Sequence, residues 1–305
     1  MIRIATRQSL LALWQAEHVA ALLESHGHAT RIVGMTTKGD RILDRTLARV
    51  GGKGLFIKEL EQAMLDGEAD IAVHSMKDVP AHMPEGFELT AVLEGASPLD
   101  AFVSNNHATL AELPEGAVLG TASVRRAAQV RHHRPDLRIA TLRGNVQTRL
   151  AKLDAGEFDA IILAEAGLRR LELDARITDT LDPAVCLPAI GQGVVGIECR
   201  RGDDAVIAAI RALEHGLTAV RMRAERAMLA ALEGDCSSPI AAHAEITADG
   251  LHLTGRVIGL DGQRLIETRQ RGTRDDDAAI GLAAARELLA QGAGELLAQD
   301  PAGEH

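Results

Sequence analysis

The chain has 305 residues, 46% of them apolar, and a formal net charge of −10. That length is more than one core usually spans, so two or three domains are expected. The acidic balance and the scarcity of aromatics exclude a general nucleic-acid binder and a base-stacking platform. No apolar run is long enough to span a membrane and the first residues show no secretory pattern, so a cytoplasmic protein without a membrane partner is expected.

In chain order, residues 2–6 predict a strand. Leu10, Leu11, Leu13, Trp14, Val19, Leu22 and Leu23 follow at helical spacing behind the polar turn Thr6-Arg7-Gln8-Ser9, with Ser9 placed as N-cap. The free N–H groups of such a helix start suit an anion as well as a cap, and the residues alone leave both readings open. Residues 30–35 predict a second strand. Gly51-Gly-Lys-Gly54 then leads into a helix ending near Gly67. Its glycines lack Walker spacing, which argues against a nucleotide loop; a loop bringing Lys53 over a ligand fits as well.

Ile71-Ala-Val-His-Ser-Met-Lys-Asp-Val-Pro80 begins as a buried strand and ends as a polar cluster closed by proline. His74, Ser75, Lys77 and Asp78 stand where a strand leaves its sheet, the place where open α/β proteins bind ligands. The same residues would also make an ordinary solvated turn. Strands at about 89–93 and 101–104 bracket Glu94-Gly-Ala-Ser-Pro98, a candidate hinge.

A second α/β unit follows. A strand at 118–120 precedes Thr121-Ala-Ser-Val-Arg-Arg126, one at 139–142 precedes Arg143-Gly-Asn-Val-Gln-Thr-Arg149, and one at 159–163 precedes a helix at 165–170. Seven arginines and a single acid, Asp136, lie between positions 125 and 149. Cations at a helix start are unfavourable by about 0.3–1 kcal/mol each. Placing Arg125 and Arg126 in one such turn and Arg143 and Arg149 in the next makes sense for a polyanion that meets both the cations and the N–H groups. Lysine is rare, five of 33 basic residues, and Lys38, Lys53, Lys58 and Lys77 fall in about the first quarter.

Leu187-Pro-Ala-Ile-Gly-Gln-Gly193 is turn-rich and leads to a buried strand at 194–199, a second crossing that returns the chain to the first domain. Helices at about 203–214 and 219–232 precede Glu233-Gly-Asp-Cys-Ser-Ser-Pro239, where Gly234 is placed to end the helix. Three cysteines without metal-like spacing make neither a disulfide framework nor a zinc site. Cys186 and Cys199 sit in apolar segments, whereas Cys236 on a polar loop is the candidate reactive thiol. Strands near 242–247, 251–258 and 264–271 and a helix at about 276–291 make a small α+β unit.

With these pieces placed, the chain resembles the porphobilinogen deaminase (hydroxymethylbilane synthase) family along nearly its whole length. The likeness runs through Ala5-Thr-Arg-Gln-Ser9, Gly51-Gly-Lys-Gly-Leu-Phe56, Val73-His-Ser-Met-Lys-Asp-Val-Pro80, Asp100-Ala-Phe-Val-Ser104 and the Arg125-Arg126 turn. It continues through Leu142-Arg-Gly-Asn145, Leu187-Pro-Ala189 with Gly191-Gln-Gly193, and Glu233-Gly-Asp-Cys236. Two positions depart from the family pattern: Ala122 stands where a serine is usual, and Asp235 where a glycine usually gives the backbone freedom beside the cysteine.

The resemblance implies a transferase that joins four porphobilinogen molecules head to tail, with loss of ammonia, into the linear tetrapyrrole hydroxymethylbilane. It implies two similar type II periplasmic-binding-protein-like α/β domains with a hinge, 1–94 with 192–214 and 98–188, plus a small C-terminal α+β domain, 217–305. It implies a dipyrromethane cofactor held by a thioether at Cys236, no metal, and a monomer whose partners are porphobilinogen and the growing oligopyrrole. Lys77, Ser123, Arg125, Arg126 and Arg143 match cofactor-binding positions, and Arg7, Ser9 and Arg149 substrate-binding ones. Lys53 and Phe56 match a loop over the cleft. Asp78 matches the catalytic carboxylate. Near a pyrrole N–H it would stabilise the cationic azafulvene-like electrophile left by ammonia and move protons, while Lys77 holds a carboxylate. A two-lobed solute-binding module would share the hinge but would have no use for the Cys236 unit.

Overall fold

The computed structural model describes residues 1–37, 57–235 and 237–298, so the expected site residues Lys53, Phe56 and Cys236 lie outside the described residues. The first sheet holds β1 (Ile2–Arg7), β2 (Thr30–Met35), β3 (Ile71–Ser75), β4 (Phe87–Val92) and β10 (Val195–Arg200), in the order β2-β1-β3-β10-β4. β1 runs parallel to β2 and β3, with Ile4 opposite Ile71 and Ala5 opposite Ala72. Parallel neighbours need a crossover, which α1 (Leu10–Ser25) makes between β1 and β2, and α2 (Lys58–Leu65) precedes β3. β3 is buried from Ile71 to His74, which is why its sequence is a continuous apolar run instead of an alternation. β10 enters antiparallel between β3 and β4.

The second sheet repeats the pattern with β5 (Asp100–Val103), β6 (Val118–Gly120), β7 (Arg138–Ala140), β8 (Ala160–Ala164) and β9 (Asp179–Thr180), in the order β7-β6-β8-β5-β9. β6 is parallel to β7 and β8, and β5 is antiparallel to β8 and β9. Helices α3 (Val124–His133), α4 (Val146–Asp154) and α5 (Glu165–Arg170) connect and cover it. Each sheet thus has three parallel strands with the first in the middle, then one antiparallel strand, then an outer strand. The fold is two similar α/β units followed by a small α+β unit.

The chain crosses between the sheets twice, and the crossings lie side by side. The N–H of Leu93 donates to Val195 O at 3.0 Å and that of Ala96 to Gly193 O at 3.1 Å. Gly193 has φ +85°, and a Cβ there would stand 2.6 Å from the Ser97 carbonyl, so only glycine lets the crossings touch.

The C-terminal unit packs α7 (Gly216–Ala231) and α8 (Asp277–Ala290) on the antiparallel sheet β11 (Ile240–Thr247), β12 (Gly250–Ile258) and β13 (Leu265–Gly272). Met228, Leu229, Leu253, Val257, Ile280 and Leu288 form its core. The helix expected at 203–214 is shorter, α6 (Asp204–Arg211), and α7 starts three residues early because the His215 side chain caps it, accepting from Thr218 N. A last short helix, α9 (Ala293–Leu297), follows Gly292 at φ +94°. No helix among the described residues is long and apolar enough to cross a membrane.

Candidate active site

The expected polar residues gather at the carboxyl ends of the parallel strands. β1 delivers Arg7 and then Ser9, whose Oγ caps α1 by accepting from Ala12 N at 3.3 Å. β3 ends in a 3-10 turn, Met76–Asp78. Met76 and Val79 are buried and anchor that turn, leaving Lys77 and Asp78 half-buried between them. Beyond β6, Ser123 caps α3 by accepting from Arg126 N at 3.4 Å. Beyond β7, Asn145 caps α4 by accepting from Thr148 N at 2.9 Å, with Arg143 just before it. Each helix start therefore already has one N–H satisfied by its own cap, and side-chain cations supply most of the anion-binding capacity.

Asp100, the first residue of β5, is the hub of these cations. It is fully buried and accepts from Arg126 Nη2 at 2.7 Å and Nε at 2.9 Å, from Gln192 Nε2 at 2.9 Å and from the Cys186 thiol at 3.2 Å. Arg125 Nη2 lies 2.8 Å from its other oxygen. Burial alone would raise the Asp100 carboxyl, but the charges of Arg125 and Arg126 hold it well below the usual carboxylate range. Arg125 and Arg126 are only 4% and 5% exposed. Arg125 also donates to Leu187 O at 2.6 Å, so its charge acts from inside the fold. Its buried Nε–H has no acceptor among the described residues.

Gln192, in the second crossing, joins the two lobes. Its Nε2 donates to Pro98 O at 2.6 Å, and its Oε1 accepts from Lys77 Nζ and from Arg126 Nη2, each at 3.3 Å. Burial, with the charges of Arg126 and Arg125, pushes the Lys77 ammonium down to about 8, against the pull of Asp78 and Asp100. Burial and the neighbouring charges of Arg126, Arg143 and Arg7 push Arg149 down to about 10, opposed by Asp78, so it stays charged at neutral pH. Its Nε donates to Gly144 O at 2.8 Å. These interactions bring Arg7, Lys77, Asp78, Arg125, Arg126, Arg143 and Arg149 into one electrostatic cluster around Asp100: six cations against two carboxylates. Such an excess fits a ligand bearing several carboxylates, and a neutral or cationic ligand fits poorly.

Several expectations change. His74 does not face the mouth; it is buried, with Nε2 2.7 Å from Glu198 Oε2. The turn after α7 places Glu233, not Gly234, at positive φ, +52°. Gly234 is needed for space instead, because a Cβ there would strike the Ile240 and Leu229 side chains. Asp235 is not at positive φ. Its Oδ1 accepts from Ser237 N at 2.8 Å and from Ser237 Oγ at 2.6 Å, hydrogen bonds that a glycine could not make. Cys186 and Cys199 are free and buried, and burial pushes the Cys186 thiol up to about 12.

Asp100 and Gln192 were inside quoted motifs but carried no expected role. An acid two residues after a hinge proline, and a glutamine between two glycines, were the available signals. Gln15 was missed as well: it is buried on α1, and its Nε2 donates to Ser75 Oγ at 2.8 Å, just before the Lys77–Asp78 turn. Among the described residues no group of three or more His, Cys, Asp or Glu side chains is arranged to hold a metal ion.

Comparison with solved structures finds distant likenesses. Lipoprotein Tp32 from Treponema pallidum matches at TM-score 0.46 and 14% identity, over 71% of this chain and 92% of that one. A putative methionine-binding lipoprotein from Bacillus subtilis matches at TM-score 0.44 and 13% identity, over 70% and 90%. The periplasmic VFT2 domain of Bordetella pertussis BvgS matches at TM-score 0.42 and 15% identity, over 74% and 90%. Likenesses this distant carry no weight for function. Family profiles are more specific: the dipyrromethane cofactor-binding domain of porphobilinogen deaminase matches residues 2–208, and the C-terminal domain of porphobilinogen deaminase matches residues 219–290. Together these matches span nearly all of the two α/β units and most of the C-terminal unit, and the chain belongs to the porphobilinogen deaminase family.

Proposed function

We propose that the chain condenses four porphobilinogen molecules head to tail, releasing ammonia at each joining, and liberates hydroxymethylbilane. The observation that carries this reading is the placement of Asp78 and Lys77 on one buried-anchored turn inside a cluster with excess positive charge. Each pyrrole brings an acetate and a propionate, so a growing chain needs several cations at once. Arginine forks suit those carboxylates. Arg7, Ser9 and Arg149 would bind incoming substrate, with Lys53 and Phe56 on the loop above. The hydroxyls of Ser9 and Ser123 accept as caps and still have a proton to donate.

Dipyrromethane, joined to Cys236 by a thioether, would be held by Lys77, Ser123, Arg125, Arg126 and Arg143. When bound, it supplies a pyrrole α-carbon as the primer of the chain. Asp78 would lie against the pyrrole N–H of the substrate. There its carboxylate stabilises the cation that forms as ammonia departs and takes the proton released when the new bond is made. Lys77 and the arginines surround Asp78 with positive charge. The reading includes three domains, 1–94 with 192–214, 98–188 and 217–305, in a cytoplasmic monomer.

The test is turnover. Purified protein should consume porphobilinogen and yield a linear tetrapyrrole that cyclises and oxidises to uroporphyrin. Asp78→Asn should keep the parent's urea midpoint and lose about a hundredfold or more in kcat. Parent-like turnover by Asp78→Asn would remove Asp78 from the chemistry.

A further inference from the structure

Helix α7 touches the Lys77–Asp78 turn from two directions. On the downstream side, Arg226 Nη2 donates to Pro80 O at 2.9 Å and to Ala81 O at 3.1 Å. On the upstream side, Glu225 acts through the second crossing. Its Oε2 accepts from Gly191 N at 2.8 Å, and its Oε1 accepts from Ala244 N of β11 at 2.9 Å. Gly191, at φ +70°, lies directly on the turn: a Cβ there would be 2.8 Å from Met76 Cβ and 3.3 Å from Lys77 N. Between these polar grips, Ala219 and Met222 of α7 share one apolar cluster with Met76, Val79 and Val194.

The residues on either side of Lys77 and Asp78 are thus packed on α7, and the backbone just after them is hydrogen-bonded to it. α7 ends at Ala231, and Leu232 to Asp235 lead from it toward Cys236 in the sequence. A helix is a stiff spacer, rising about 1.5 Å per residue. Gripped on the turn at one stretch, it ties the C-terminal unit to the Lys77–Asp78 turn of the first lobe.

We propose that Glu225 and Arg226 are positioning residues that clamp α7 onto the Lys77–Asp78 turn and so set the register between that turn and the C-terminal unit. The proposal rests on the deaminase reading for its consequence in turnover, but the clamp itself is a property of the fold. A misplacement of about 1 Å at a reacting centre can cost on the order of a hundredfold in rate. Loss of one of two grips, with the apolar cluster intact, should cost less.

The experiment uses the full chain and compares Arg226→Met, Arg226→Lys and Glu225→Gln with a control, Arg223→Met. Arg223 lies on the same helix but pairs with Asp277 of α8 at 2.6 Å. Amide hydrogen exchange over residues 76–83 reports the clamp without reference to activity, and intact mass reports loading of Cys236. Arg226→Met and Glu225→Gln should each raise exchange over 76–83 about tenfold. They should lower kcat about tenfold with KM within about twofold, because positioning and not carboxylate binding is lost. Arg226→Lys should recover part of both effects, and Arg223→Met should move neither. Parent-like exchange and kcat in Arg226→Met, or equal changes in Arg223→Met, would overturn the clamp. Raised exchange in Arg226→Met, together with a parent chain that neither loads nor consumes porphobilinogen, would support the clamp and refute the deaminase reading.

Discussion

Asp100→Asn is the sharpest single perturbation of the cation cluster. The carboxylate accepts three N–H bonds at 2.7–2.9 Å and faces a second guanidinium at 2.8 Å, all in a fully buried site. Asparagine keeps one acceptor and turns an NH2 donor towards groups that only donate. Removing one partner of a buried ion pair costs about 3–5 kcal/mol, because the remaining charge stays desolvated. Two guanidiniums are stranded here, so we expect about 4 kcal/mol or more. Equilibrium urea unfolding of the full chain measures it, as a lower midpoint at unchanged slope. The coupling can be isolated. Arg125→Met should be costly in the parent and much less so in the Asp100→Asn background, with an interaction energy of about 1–3 kcal/mol. An Asp100→Asn chain within about 1 kcal/mol of the parent, or an Arg125→Met cost equal in both backgrounds, would refute the hub. If Arg125 acted mainly as a ligand cation, its loss would raise KM without lowering the urea midpoint.

Two pH effects follow from the same burial. Lys77, at about 8, is charged below that pH and neutral above it. With the grip of Lys77 on the cofactor's carboxylate weakened, kcat should therefore fall as pH passes through about 8, by up to about tenfold per unit, and Lys77→Arg should remove the fall; a flat profile in the parent from neutral pH upwards would contradict it. Burial raises the Glu225 carboxyl from 4.5 to about 7, against its hydrogen bonds from Gly191 and Ala244 and the charge of Arg221. Its contribution to stability is fully present below about 4.5 and is lost as pH rises through about 7, on the order of 3 kcal/mol. Glu61 is also raised to about 7 and titrates in the same window, so the comparison that isolates Glu225 is parent against Glu225→Gln in urea midpoints across it. A pH slope equal in the two chains would contradict the assignment.

Much of the architecture was legible because it is written locally. The buried run of β3, the cap Ser9, and the arginines at two helix starts are each set by residues within a turn of one another. The Lys77–Asp78 turn could be located but its role not decided, since a solvated turn has the same composition. What could not be read was pairing at a distance. His74 meets Glu198, 124 positions away, and so turns from a candidate ligand residue into a buried pair. Arg126 meets Asp100 across 26 positions, and Gln192 reaches Lys77 across 115. No periodicity or motif encodes such partners, and they decide which cations serve the fold as well as a ligand. The glycine before the cysteine shows the same limit: its residue type suggested a helix stop, whereas Glu233 takes the left-handed conformation and Gly234 makes room for Ile240.

Intact mass of the full chain, purified from a host that makes porphobilinogen and then incubated with more of it, tests the proposed chemistry most directly. The parent should carry a covalent adduct of two pyrrole units and gain further single units on incubation. Cys236→Ser should carry none, and Asp78→Asn should carry or gain fewer. A parent chain of unmodified mass, before and after porphobilinogen, would contradict the proposed covalent primer at Cys236 and the polymerase chemistry built on it.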